Sequence, residues 1–345
     1  MKTRFTAMAA ELKRSGALYL PSSFWNQLNA VNESQLAKDG FENFKRTVNQ
    51  NYFNWGPNST DDNQLRNLSK LLAANPIGQS AGPVLEGDPR LINMFNQNML
   101  DSPEKARIYV DFVGLLWRFA SQEDPDRLTD RLSEPSLGNP IRIRLGGRLI
   151  SQDLANSIRE RNIVCMFAPA SANARQVIAE IGAGYGRLGY AFIAASDCKY
   201  LVFDVPPALY ISERYLSEVF PDKRVFRFRQ FDRFASIEKE LESADIGFFT
   251  GNQIELFPQE YFDVAISVSA LHEMRSEQIA NYLARMQFLT KGAIYLKNWR
   301  SWHNTADDVR INEDTFRLSD PWRAALERID PVQDMFAEKI FVRRQ

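Results

Sequence analysis

The segment Glu180-Ile181-Gly182-Ala183-Gly184-Tyr185-Gly186 constrains this chain more than any other. It closes an apolar run, Val177 to Ile181, that reads as a strand. It precedes Leu188, Ala191, Phe192 and Ala195, which recur at i, i+3, i+4 and i+7 as the buried stripe of a helix. A strand that turns through glycines into a helix lets a ligand approach the backbone closely and aims free amides of the first helical turn at it. Glycines there can also serve a tight turn alone, so it is the strand-to-helix context that makes the loop informative.

The same grammar continues downstream. Tyr200 to Phe203 reads as a second strand, and Pro206-Pro207 opens a helix striped by Ala208, Ile211, Tyr215 and Val219. Phe262 to Val268, Ala293 to Leu296 and Lys339 to Arg343 are further strands, with a helix marked by Ile279, Leu283 and Met286. Val225 to Arg229 and Ile246 to Phe249 compete for the place of the third strand. Strands alternating with helices predict an α/β fold, a Rossmann-like, mostly parallel sheet covered on both faces.

The first 150 residues read differently, as helices and loops. Phe24, Trp25 and Leu28 share a helical face after Pro21-Ser22-Ser23, and Phe41 to Val48 has helical spacing that Gly56-Pro57 stops. Ser133 to Gly147, with the alternating Ile141-Arg142-Ile143-Arg144, reads as a connector or hairpin. The expected division is therefore a mainly helical N-terminal extension over residues 1–150 and an α/β domain over 151–345.

Charge narrows the partners. Lys and Arg number 42 against 43 Asp and Glu, so no global field favours a nucleic acid. Apolar runs such as Phe112 to Trp117 fall far short of the roughly 20 residues of a membrane span, and Glu11, Lys13 and Arg14 break up any signal-peptide segment. Cys165 and Cys198 have no metal-ligand spacing and read as free thiols. A cytoplasmic protein is the expectation, and no compact His or carboxylate cluster argues for a metal.

The loop also discriminates between cofactors. Gly182-x-Gly184-x-Gly186 is not the G-x-G-x-x-G turn that grips a pyrophosphate, which disfavours a nicotinamide oxidoreductase. Glu180, two residues before Gly182, suits a ligand with a cationic end. Asp204 ends the second strand, where a carboxylate can accept from both ribose hydroxyls or cap the next helix. These features favour S-adenosylmethionine held by Glu180, Gly182, Ala183, Gly184, Gly186 and Asp204.

This arrangement resembles the class I S-adenosylmethionine-dependent methyltransferases. Thr250-Gly251-Asn252-Gln253, running into Leu256-Phe257-Pro258 and Phe262-Asp263-Val264, is similar to that superfamily's adenine-side loop, with Asn252 where an aspartate often stands and Gln253 as the alternative contact. More narrowly, the chain resembles a bacterial family of sugar O-methyltransferases. The match rests on Phe24-Trp25, Gly40 to Arg46, Tyr52 to Trp55, Gln152 to Ser157, Asp204 to Tyr210 and Ser269 to Met274. The resemblance implies methyl transfer to a hydroxyl of a sugar or glycan-like small molecule; a non-sugar natural product, an amine, or a non-catalytic binding role are the alternatives.

A hydroxyl acceptor needs help losing its proton, and the chain has two histidines, His272 and His303. His272 follows the strand Phe262 to Val268, at the edge where ligands bind in open sheets, and is the expected general base; the alternative is a histidine that fixes the entry to the next helix. Glu273 either orients it, binds a sugar hydroxyl, or complements a helix dipole. His303, after Ala293 to Leu296, is expected on the same edge. Trp299 and Trp302 offer stacking faces for a sugar or complete a core. Lys45, Arg46, Tyr52 and Trp55 form a candidate substrate wall or an internal packing surface.

Overall fold

The apolar runs between residues 176 and 343 assemble into an eight-stranded sheet in the computed structural model, which describes residues 2–49, 56–57, 59–74, 82–90, 100–169 and 174–344. In chain order its strands are β1 (Gln176–Ile181), β2 (Cys198–Asp204), β3 (Val225–Phe226), β4 (Ile246–Thr250), β5 (Phe262–Val268) and β6 (Thr290–Trp299). A hairpin of β7 (Ser301–Asn304) and β8 (Val309–Asn312) stands apart from the sheet, and β9 (Trp322–Ile329) and β10 (Phe336–Arg343) complete it. The spatial order is β9-β10-β6-β5-β1-β2-β4-β3, parallel from β6 to β3 and antiparallel where β10 meets β6 and β9.

Strands β1, β2 and β5 sit in the middle, and Ile178, Ala179, Tyr200 to Phe203 and Val264 to Ile266 are buried there. Strands covered on both faces have no solvent side to alternate toward, which is why these segments read as continuous apolar runs. The flanking helices are α1 (Lys2–Arg14), α2 (Arg187–Ala195), α3 (Ala208–Val219) and α4 (Ser276–Leu289). From β1 the chain builds outward through β2 to β3 and β4, then returns to lay β5 on the other side of β1. The carboxyl ends of β1 and β5 therefore flank the point where the winding reverses, the crevice that open α/β sheets use for ligands.

Ile246–Thr250 takes the third-strand position, paired with β2 from Tyr200↔Ile246 to Asp204↔Thr250. The competing segment contributes two residues, Val225–Phe226, at the edge. Its ladder stops because the Phe228 amide turns to donate to Glu213 Oε2 at 2.8 Å, while Arg227 and Arg229 face solvent.

The chain does not divide at a single cut near residue 150. One compact unit comprises Met1–Ala30, Val164–Ile329 and Met335–Gln345; the other comprises Val31–Ile163 and Asp330–Asp334. The N-terminal segment joins the sheet unit through polar ties that local periodicity does not reveal. Arg4 grips Glu213 through both carboxylate oxygens, at 2.5 and 2.7 Å, and Gln278 Nε2 donates to the carbonyls of Leu18 and Leu20, both at 2.9 Å.

The second unit is mainly helical. Its longest helix within one unit, Pro103–Gln122, starts with Ser102 capping the Lys105 amide at 3.2 Å and buries Phe112, Val113, Leu116 and Ala120 completely. The alternating segment forms the expected hairpin, Arg142–Leu145 against Arg148–Ile150, with Val84–Glu86 as a third antiparallel strand. Phe41–Arg46 is a 3-10 helix rather than the α-helix its spacing predicts, because the chain bends so that the Lys45 amide meets the carbonyl of Gly138 at 3.0 Å. Among the described residues no helix is long and apolar enough to cross a membrane.

Lys45 and Arg46 are turned inward. Lys45 Nζ pairs with Glu134 and donates to the carbonyl of Pro135 at 3.0 Å, and Arg46 clamps the carbonyls of Asn139 and Pro140 at 2.9 and 3.2 Å. Both members of the Lys45–Glu134 pair are less than 5 % exposed, so removing one strands a buried charge. Lys45→Met is expected to lower unfolding stability by about 3–5 kcal/mol, read from the urea midpoint. A loss below about 1 kcal/mol would show that the lysine does not serve the fold.

Candidate functional site

The glycine loop leaves β1 at the crevice. Gly182, Gly184 and Gly186 have φ of 76°, 59° and 89°, in the left-handed region that a side chain disfavours. At Gly182 space is as decisive as φ: a Cβ there would stand 2.3 Å from the Cβ of Ala270, in the segment that follows β5. The two carboxyl ends can close on each other because residue 182 has no side chain. Ser267 Oγ ties them further, donating to the carbonyl of Ile181 at 3.1 Å.

Asp204 lies across from the loop, half-buried at the end of β2. Its Oδ2 accepts from the amide of Gly184 at 2.9 Å and its Oδ1 from the amide of Val205 at 2.7 Å. Burial pushes the carboxyl up to about 7, against the pull of the Val205, Gly184 and Ala183 amides. The helix-capping alternative does not describe this residue, since its reach is back to the loop. Glu180 is buried beneath the loop, where its Oε2 accepts from the Tyr200 hydroxyl at 2.7 Å. It supports the turn from inside.

Of Asn252 and Gln253, the expected adenine contacts, Gln253 is committed to backbone groups of other residues. Its Oε1 accepts from the amide of Thr250 at 3.1 Å and its Nε2 donates to the carbonyl of Arg229 at 2.8 Å. Asn252 differs. Its Nδ2 donates to Glu11 Oε1 at 3.0 Å, and its Oδ1 is buried with no partner. A buried amide oxygen without a donor is costly, and an exocyclic amine on a bound base would satisfy it.

His272 and Glu273 follow β5 on the far side of the crevice. His272 is 1 % exposed, stacks on Trp299 at 5.7 Å between ring centroids and meets Trp302 edge-on at 6.4 Å. Its Nδ1 lies 3.4 Å from Asn298 Oδ1, which makes Nδ1 the protonated nitrogen and leaves the Nε2 lone pair free. Burial lowers the imidazole to about 3, partly offset by Asn298, so the ring is neutral at physiological pH. Glu273 Oε1 lies 3.7 Å from Nε2, while its Oε2 accepts from Trp25 Nε1 at 3.1 Å. Burial raises this carboxyl to about 8, and the Trp25 bond pulls it back.

His303 is separated from this pair. It sits on β7, where alternation turns Trp302 toward His272 and His303 to the opposite face, and its Nε2 meets Asp308 Oδ1 at 3.0 Å. Lys45 and Arg46 belong to the other compact unit, and Tyr52 and Trp55 lie outside the described residues. Sequence reasoning missed Trp25, Glu11 and Asn298. The first two carry no signal, being more than 200 residues from their partners. Ser269, on the same edge, has a φ of 54° and a buried Oγ with no partner.

No protein-family model and no curated protein matches the chain. Among solved structures, it is similar to magnesium protoporphyrin IX methyltransferase from Synechocystis PCC 6803 with bound SAH, at 12 % identity and a TM-score of 0.39, over 56 % of this chain and 86 % of that one. It is similar to the 1,6-didemethyltoxoflavin-N1-methyltransferase of Burkholderia thailandensis, at 13 % and 0.38, over 56 % and 79 %. Mitomycin 7-O-methyltransferase gives 12 % and 0.32, over 55 % and 57 %. The sheet itself is mostly parallel with flanking helices, a Rossmann-like arrangement.

The opposite shifts of His272 and Glu273 make stability depend on pH in a defined way. The His272 contribution is lost as pH falls from 6.5 toward 3, and that of Glu273 is lost as pH rises from 4.5 toward 8. Glu273→Gln keeps an acceptor for Trp25 and removes the second slope. Relative to the parent, the variant is expected to gain stability across pH 4.5 to 8 with a slope approaching about 1.4 kcal/mol per pH unit, read by urea unfolding at stepped pH. Parallel curves for the two proteins would contradict the raised carboxyl.

Proposed function

We propose that the chain is an S-adenosylmethionine-dependent methyltransferase that methylates a hydroxyl of a sugar or glycan-like small molecule. The observation that carries this reading is the Asp204 carboxylate at the end of β2, bonded to the amide of Gly184 in the glycine loop beside the reversal point of the sheet. It faces ribose-binding duty with lone pairs to spare, since each carboxylate oxygen accepts more than one bond. Gly182, Ala183, Gly184 and Gly186 supply backbone that can approach a ligand, Glu180 holds the turn from below, and Asn252 offers its unpartnered Oδ1 to an adenine amine. S-adenosylmethionine supplies an electrophilic methyl group on a sulfonium centre.

The acceptor side of the reading rests on His272 and its neighbours. The imidazole is neutral, the Asn298 contact leaves Nε2 as the accepting atom, and although burial weakens it as a base, it suffices for the acidic proton of the oxygen that has gained the methyl group. Glu273, held neutral by the same burial, stands beside the accepting atom, its Oε1 3.7 Å from Nε2. Trp299 and Trp302, with centroids 4.9 Å apart at 72°, present apolar faces of the kind that pack on a sugar ring, and the buried indole N–H of Trp302 has no partner.

Calorimetric titration with S-adenosylhomocysteine tests the donor half. Saturable binding that tightens as pH rises through about 7 is expected, because ribose hydroxyls donate to the ionised form of Asp204. Asp204→Ala is expected to weaken it by about 10-fold or more. No binding to the folded protein would overturn the reading. For the acceptor half, His272→Ala should lower kcat by about 100-fold or more while leaving S-adenosylhomocysteine affinity intact. Unchanged turnover would remove His272 from the base role.

A further inference from the structure

Trp25 reaches the edge where β5 ends from the far end of the chain, and its neighbours hold it there. Ser22 Oγ donates to the carbonyl of Glu273 at 3.0 Å and accepts from the Trp25 amide at 3.3 Å. Asp307, in the loop between β7 and β8, accepts from the amides of Ser23 and Phe24 at 2.8 and 3.3 Å and from Asn304 Nδ2 at 2.9 Å. Phe24 packs edge-on against both Trp25 and Trp302, with ring centroids 5.8 and 6.5 Å apart. The N-terminal segment, the exit from β5 and the hairpin loop are thus clipped together around one indole.

An indole N–H can only donate, so the 3.1 Å bond from Trp25 Nε1 makes Glu273 Oε2 an acceptor. Among the described residues no cation pairs with this carboxyl, and its other neighbour is His272 Nε2, 3.7 Å from Oε1. A buried charge without a counter-ion is costly, and burial raises the carboxyl to about 8, so it carries its proton at neutral pH. With Oε2 engaged by the indole, that proton belongs on Oε1, the oxygen that faces the imidazole. His272 presents its unprotonated nitrogen to the same spot, since its Nδ1–H points to Asn298. A donor and an acceptor therefore stand 3.7 Å apart, too far to bond each other and well spaced for one oxygen about 2.8 Å from both. The glutamate is the more open of the two, with 14 % of its side chain exposed against 2 % for the histidine.

We propose that Trp25 is a positioning residue of the methyl-transfer site: it fixes the proton of Glu273 on Oε1, so that Glu273 and His272 Nε2 grip one neutral hydroxyl of the acceptor as donor and acceptor. The catalytic role rests on the function proposed above, whereas the placement of the proton does not. When the gripped oxygen bonds to the methyl carbon, the C–S electron pair leaves with sulfur, Nε2 takes the proton that the oxygen sheds, and Glu273 keeps its own. A carboxylate has no proton for Nε2 and an ammonium no lone pair for Oε1–H, so the pair selects against both.

The titratable groups packed around Glu273 are His272 on its own turn, Arg275, which pairs with Glu277 at 2.8 Å, and Asp307, which is bonded to Ser23 and Asn304. The test is NMR of the full chain labelled with 13C at glutamate carboxyls and 15N at tryptophan and histidine. Glu273→Gln identifies the glutamate resonance, and His303→Gln leaves a single imidazole. The Glu273 carboxyl is expected to titrate near 8, and the Trp25 indole proton with the same midpoint. His272 is expected to stay the neutral Nδ1–H tautomer from about pH 6 to about pH 8. In Trp25→Phe the carboxyl midpoint is expected to rise further above 8, because a bond to the ionised form is lost. An indole that only filled space would instead admit water on removal and let the midpoint fall toward 4.5. Should Trp25→Phe fail to fold, the shared midpoint of indole and carboxyl in the parent decides. A carboxyl that ionises below about pH 6, an indole proton that does not follow it, an imidazolium or Nε2–H tautomer of His272 at neutral pH, or a midpoint that falls in Trp25→Phe would each overturn the proposal. Titration with S-adenosylhomocysteine decides the methyl-donor reading separately: no binding, with these signals as expected, would remove the catalytic role and leave the placement of the proton standing.

Discussion

The clasp between the Asp204 carboxylate and the amides of Gly184 and Val205 is the constraint around which the sheet unit is organised. It joins the ends of β1 and β2, beside the point between β1 and β5 where the winding of the sheet reverses, and the Gly182 amide adds a bond to the carbonyl of Phe203 at 2.9 Å. A loop of three glycines has much conformational entropy to lose, and a carboxylate with two fixed amide donors lowers that loss when a ligand arrives. Burial raises the Asp204 carboxyl to about 7 against the pull of these amides.

On the other side of the reversal point, burial does most of the electrostatic work. His272 and Glu273 are adjacent in sequence and shifted in opposite directions, one down to about 3 and the other up to about 8. Desolvation disfavours charge whatever its sign, so both groups rest neutral and the site carries no net charge from this pair. Trp299, Trp302 and Phe336 supply the apolar surroundings that cause it, and Trp25 and Asn298 supply the hydrogen bonds that fix the two side chains.

The N-terminal thirty residues connect these two halves. Glu11 meets Asn252 just after β4, Tyr19 meets Glu255, and Trp25 meets Glu273 beside the histidine. A segment that touches both ends of the crevice is part of its wall, which is why a boundary drawn at residue 150 misassigns it. The same holds for Asp330–Asp334, which leaves the C-terminal half to complete the helical unit through Arg159 and Asn67.

What the sequence determined by itself was local. The glycine loop, the end-of-strand aspartate, the apolar strands and the Gly146-Gly147 hairpin were legible, because each is a backbone or burial requirement expressed within about ten residues. Tertiary structure decided the rest. It chose Ile246–Thr250 over Val225 to Arg229 as the third strand by turning the Phe228 amide to Glu213, and it directed Lys45 and Arg46 to internal anchors. It also gave Trp25 and Glu11 their partners, and it separated His272 from His303 by the pleat of a hairpin. These outcomes depend on which surfaces meet after the chain has packed, and a hydrogen bond across two hundred residues leaves no periodicity for a sequence to display.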